Sequence, residues 1–154
     1  MPLNNFGIVS LTDAGWLARC AQPDKVSSAD LFNMKFDTLY KLNQDSEFPD
    51  AVEKANFKGS VIFDPYPKLF KIPTKEVILN TVQRIQALIL TDFRVVVHCT
   101  HGRDRTGLVI GAYRILINKW TFEMAQQERQ YYGANAIIDI ADAEIVEFLK
   151  QLAA

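Results

Sequence analysis

The residues whose types and spacing could do chemistry run consecutively, as His98-Cys99-Thr100-His101-Gly102-Arg103-Asp104-Arg105-Thr106-Gly107. Five residues separate Cys99 from Arg105. That is enough for a tight loop to turn its backbone N–H groups inward and close on the N-terminus of a following helix. The orphan N–H groups and the helix dipole favour an anion there, and phosphate fits the cradle. Thr100, His101, Gly102, Arg103, Asp104 and Arg105 are its candidate phosphate-binding residues. Arg105 adds a planar fork that grips two phosphate oxygens, a task a lysine ammonium does less well. Gly102 permits the positive φ or close backbone approach that such a nest requires. The same field acts on Cys99: the thiolate is the nucleophilic form, and a helix N-terminus beside arginine stabilises it. Cys99 is therefore expected to attack phosphorus and form a phosphocysteine. His98 is expected to orient the loop by hydrogen bonds, and the Thr106 hydroxyl to stabilise the thiolate as it leaves in the second step.

The loop needs a strand before it and a helix after it, and both are legible. Phe93 to His98 is a β-branched run with almost no polar interruption, the mark of a central strand buried on both faces. Thr106 to Ile117 reads as the helix. Upstream, Asn5 to Val9 and Gly15 to Cys20 suggest a hairpin around Thr12-Asp13. Ser27 to Leu31 reads as a short helix with a serine cap, and Thr38 to Leu42 alternates like a strand. Asp50 to Phe57 looks helical, and Ser60 to Phe63 is a strand ending at Asp64-Pro65-Tyr66-Pro67. Thr74 caps a long helix in which Val77, Ile78, Val82, Ile85, Leu88 and Ile89 recur at helical spacing. Thr121 to Tyr132 and Asp139 to Leu152 complete a helical C-terminal half. The pattern predicts an α/β fold, a central mixed sheet flanked by helices, most of them on one side.

The 154 residues, 49% apolar and 23% charged, bound the chain to one globular domain over 1–154 and exclude disordered and fibrous classes. No window approaches the roughly 18 apolar residues of a membrane span, and the first residues lack the pattern of a signal peptide, so a cytoplasmic protein is expected. The net charge of -1 steers the chain toward neither nucleic acid nor anionic membrane. Locally, Arg94 to Arg105 holds three arginines against one aspartate, which suits an anion site. Cys20 and Cys99 are too few for a disulfide framework and lack zinc spacing. Cys20 reads as a small buried apolar residue, Trp16 and Trp120 as packing anchors, Tyr131-Tyr132 as the close of a helix, and Gln126 and Gln127 as surface residues.

The string H-C-x-x-G-x-x-R-T-G resembles the signature of the protein-tyrosine-phosphatase superfamily of cysteine-dependent phosphatases. The resemblance extends through Asn5-Phe6-Gly7, Arg19-Cys20-Ala21-Gln22-Pro23 and Thr38-Leu39-Tyr40-Lys41-Leu42-Asn43, similar to the opening of small dual-specificity-like and phytase-like inositol polyphosphate phosphatases. Cys20 departs from the small residue usual at its position. The resemblance implies a protein-tyrosine-phosphatase-like fold, a phosphoric monoester hydrolase, and no metal or other cofactor. It also implies a general acid on a loop ahead of the cysteine. Asp64, 35 residues upstream of Cys99, fits that topology, and Asp104 competes because some related G-K-D-R-T-G loops use the in-loop aspartate. His101 and Arg103 in the loop, with Lys68 and Lys71 near Asp64, would surround a substrate bearing several phosphates. The expected partner is thus an inositol polyphosphate, and the alternative is a phosphoprotein cleaved by a dual-specificity or tyrosine phosphatase. A phosphoinositide and a 5′-triphosphate RNA rank below both.

Overall fold

The computed structural model describes residues 3–43, 54, 56–67, 72–134 and 140–154. Strands β1 (Gly7–Leu11) and β2 (Trp16–Cys20) form the expected hairpin, and Thr12 closes its turn by donating from Oγ1 to the Gly15 carbonyl at 2.8 Å. Helix α1 (Lys25–Asn33), β3 (Thr38–Lys41), β4 (Ser60–Phe63), α2 (Lys75–Leu90) and β5 (Arg94–His98) follow. Helices α3 (Arg105–Leu116), α4 (Phe122–Tyr131) and α5 (Ile140–Ala153) end the chain.

The five strands lie in the order β1-β2-β5-β3-β4, with β1 antiparallel to β2 and the other pairs parallel. The sheet is therefore mixed, with β5 at its centre. Side chains alternate across the pleat. Leu17, Tyr40, Val95 and Val97 face the larger core, closed by Ile78, Val82 and Ile85 of α2, Leu108 and Val109 of α3, Ala125 of α4, and Ile145 and Leu149 of α5. Ala18, Cys20, Leu39 and Val96 face the smaller one with Leu31, Phe36 and Phe57. Helices α2 to α5 thus pack on one face and α1 on the other. Within the smaller core Trp16 meets Phe36 edge-on at 5.7 Å.

Several local expectations are corrected. Helix α1 is capped by Asp24, not by a serine: Ser27 is the third helical residue, donating its N–H to Asp24 Oδ1 while its Oγ takes the Asp24 N–H, each at 2.8 Å. Strand β3 ends one residue early and is buried on both faces, Lys41 included, because it lies between β5 and β4. Val77 is exposed on the flank of α2, and Thr81 fills the inward stripe instead. Of the helix expected over Asp50 to Phe57 only Lys54, Asn56 and Phe57 are described, the first two being helical. Lys68, Lys71 and Asp139 lie outside the described residues. No helix among the described residues is long and apolar enough to cross a membrane.

Candidate active site

Strand β5 delivers His98 and Cys99 to the end of the sheet, and α3 begins six residues later at Arg105, so the intervening chain bends into a loop. Gly102 makes the bend. Its φ is 69°, and a Cβ there would stand 2.7 Å from the carbonyl carbon and oxygen of Cys20 and 2.8 Å from the Ala21 nitrogen. Both the backbone conformation and the close approach to β2 require glycine. Gly102→Ala is expected to lower stability by about 2 kcal/mol or more and to weaken inhibition by inorganic phosphate, checked by thermal unfolding and competitive kinetics.

Cys99 is buried, and the Thr106 hydroxyl donates to its Sγ at 3.0 Å. The first turn of α3 thus reaches back to the sulfur at the end of β5. Arg105 is buried too, with Nη1 donating to the Tyr66 carbonyl at 3.3 Å and Nη2 to Thr100 Oγ1 at 3.0 Å. The guanidinium is therefore held on both branches before any ligand arrives. Thr100 Oγ1 also accepts from Asn43 Nδ2 at 3.2 Å, and Asn43 reaches Gln22 Oε1 at 2.9 Å. The buried Lys41 ammonium donates to Gln22 Oε1 at 2.8 Å and to Asn43 Oδ1 at 3.1 Å, completing a polar network that ends on Arg105. His98 is fully buried, with Nδ1 3.4 Å from the Cys99 carbonyl oxygen.

The outer side of the loop carries a second network. Arg19, buried on β2, donates from Nη2 to the Gly102 carbonyl at 2.9 Å and stacks on the Tyr132 ring at 3.9 Å. Burial pulls its guanidinium down to about 10, with Glu128 opposing the shift from 3.9 Å. Asn5 Nδ2 reaches the carbonyls of His101 (3.1 Å), Gly102 (3.2 Å) and Tyr132 (2.8 Å). Beside the loop opens a cleft of about 370 Å³, lined by Thr100, His101 and Arg103, by Asn4 and Gln22, and by Tyr131 and Tyr132 at the end of α4. His101 and Arg103 thus face the same opening.

Asp64 follows β4 but does not hydrogen-bond to the loop. Its Oδ2 accepts from the Tyr40 hydroxyl at 2.6 Å and the Thr81 hydroxyl at 2.8 Å, with Arg84 at 3.8 Å. Burial first, and Asp64 next, push the Tyr40 hydroxyl well above its ordinary range, so it stays protonated and donates. Asp104 stands at the N-cap of α3 without capping it through its side chain. Gln126 is half-buried rather than a free surface residue: its Oε1 accepts from buried Arg129 at 2.6 Å, while Arg129 Nη2 holds Asp142 at 2.7 Å.

Sequence reasoning singled out neither Asn5, Arg19, Gln22 nor Asn43 as site residues. A lysine inside an apolar strand, followed two residues later by asparagine, was the available signal for the inner network.

A sequence model of the tyrosine phosphatase family matches residues 70–152. The dual specificity protein phosphatase TpbA of Pseudomonas aeruginosa is 35% identical over 66 residues, 43% of this chain and 30% of that relative's length. The solved TpbA structure superposes with a TM-score of 0.68 at 26% identity, covering 89% of this chain and 85% of that one. The catalytic core of the PP-IP phosphatase SIW14 from S. cerevisiae shares the fold at a TM-score of 0.74 and 18% identity, over 97% of this chain and 87% of that one. With the family match spanning more than half of its length and the loop intact, the chain belongs to the tyrosine phosphatase family.

Proposed function

We propose that the protein hydrolyses phosphate monoesters through a phosphocysteine on Cys99. The observation that carries this reading is the 3.0 Å contact of the Thr106 hydroxyl with Cys99 Sγ, on the same loop as a guanidinium held at two branches. The phosphate oxygens lie against the loop N–H groups and Arg105. The Cys99 thiolate attacks phosphorus, the bond to the ester oxygen breaks, and that oxygen takes a proton from a general acid. Water then attacks phosphorus and gives a proton to the carboxylate left by that acid, the P–S bond breaks, and the electron pair returns to sulfur, where the Thr106 hydroxyl stabilises it. Preorganised N–H groups and Arg105 stabilise the charge on the transferring phosphoryl group.

Asp104 is the acid in this reading, because it belongs to the loop that holds the transferring phosphoryl group, at the start of α3. Asp104→Asn should lower kcat on the order of 10²-fold for inositol hexakisphosphate and much less for p-nitrophenyl phosphate, whose leaving group needs little protonation. Asp64→Asn should act alike on both substrates. The reverse pattern would return the acid to Asp64.

The substrate class we infer is an inositol polyphosphate, since His101 and Arg103 line one opening with the polar side chains of Asn4 and Gln22; the likeness to SIW14 agrees with it. A phosphotyrosine protein is the second reading, favoured by the aromatic wall of Tyr131 and Tyr132 and by the TpbA variant solved in complex with pTyr. Comparing kcat/KM on inositol hexakisphosphate, a phosphotyrosine peptide and a 5′-triphosphate RNA decides between them.

A further inference from the structure

We propose that Asn5 and Arg19 are positioning residues of the catalytic loop: by holding the carbonyls of His101 and Gly102, they aim the N–H groups of Gly102 and Arg103 at the phosphate. The inference rests on the phosphatase reading above. In a trans peptide unit the C=O and N–H point in opposite directions, and no peptide among the described residues is cis. The Thr100 carbonyl is taken by the Gln22 backbone N–H at 3.0 Å. The His101 carbonyl is taken by Asn5, and the Gly102 carbonyl by Asn5 and Arg19 together. Three consecutive carbonyls are thus fixed outward, and the N–H groups of His101, Gly102 and Arg103 point the other way.

Two further observations separate this from ordinary packing. Asn5 adopts φ 55°, a region that asparagine enters more readily than other non-glycine residues and that persists where surrounding contacts define it. Arg19 is fully buried, yet its Nε and Nη1 make no hydrogen bond among the described residues. A buried, half-satisfied guanidinium lowers stability relative to an apolar side chain of similar size. Glu128 does not depend on it, being paired with Arg114 at 2.8 Å. The one hydrogen bond Arg19 makes among the described residues is the one to the Gly102 carbonyl, so stability alone does not explain the choice of residue.

The test uses Arg19→Met, Asn5→Asp and their combination, with p-nitrophenyl phosphate turnover, competitive inhibition by inorganic phosphate, and thermal unfolding measured on each. Asn5→Asp keeps the shape and replaces the donor by an oxygen that repels the carbonyls. Each single variant is expected to lower kcat/KM by roughly 10- to 100-fold, below the loss of a whole oxyanion donor. Most of the loss should fall in kcat, because the N–H groups tighten on the transition state. Inhibition by phosphate weakens in parallel, while Arg19→Met melts at or above the wild-type temperature. The double variant loses less than the product of the singles, because both residues act on Gly102, and Arg19→Lys, which keeps one donor, recovers part of the activity. Wild-type kinetics in both single variants, or an activity loss that follows the melting temperature alone, overturns the inference and leaves the phosphatase reading standing. A wild-type protein that neither turns over nor is occupied by phosphate overturns the reading and the inference together.

Discussion

Cys99→Ser is expected to reduce turnover of any phosphate monoester below detection while the protein folds and takes up inorganic phosphate nearly as before. Serine keeps the shape of the side chain, and the Thr106 hydroxyl still has an oxygen to meet. The loop N–H groups and Arg105 do not change, so the anion cradle survives. What is lost is the sulfur that attacks phosphorus and later leaves it, because an alcohol oxygen is both a weaker nucleophile and a poorer leaving group than sulfur. The check is paired: kcat on p-nitrophenyl phosphate, and phosphate occupancy by calorimetry. Substantial turnover by the serine variant would remove Cys99 from the reaction.

Arg105→Lys comes next in size, with a fall in kcat of about 10³-fold or more, the scale on which arginine stabilises phosphoryl transfer. The guanidinium is held by the Tyr66 carbonyl on one branch and the Thr100 hydroxyl on the other, so its plane is fixed before phosphate binds. A single ammonium cannot occupy both anchor points and still offer two parallel donors to the transferring group. Ground-state binding suffers less, because a point charge still attracts the dianion, and KM is expected to move much less than kcat. A kcat within tenfold of wild type would show that the fork does not act on the transition state.

What was legible beforehand follows a physical division. Strand β5 announces itself because a strand covered on both faces must be apolar throughout, and Thr74 announces a helix start because cap chemistry acts over three residues. The loop was legible for the same reason: all of its chemistry lies within ten consecutive residues. The cap of α1 was misread because Asp24 and Ser27 are both cap residues and share one capping box, which propensity does not order. The buried state of Lys41 depends on which strands flank β3, a matter of sheet order rather than local pattern. The hydrogen bonds on the Asp64 carboxylate come from Tyr40 and Thr81, 24 and 17 residues away along the chain. The braces on Gly102 span 97 residues from Asn5 and 83 from Arg19, and no periodicity reports a contact of that range.

The central claim is the covalent step, and it is tested most directly by mixing the wild-type protein with excess p-nitrophenyl phosphate, quenching in acid within the first turnover, and mapping phosphorylated peptides by mass spectrometry. The account predicts a burst of p-nitrophenol of about one equivalent per active site when hydrolysis of the intermediate is the slower step, with one phosphoryl group on the sulfur of Cys99, absent in Cys99→Ser. Turnover with the phosphoryl group on another side chain, or with no covalent adduct while the quench demonstrably preserves an authentic phosphocysteine peptide, would contradict it.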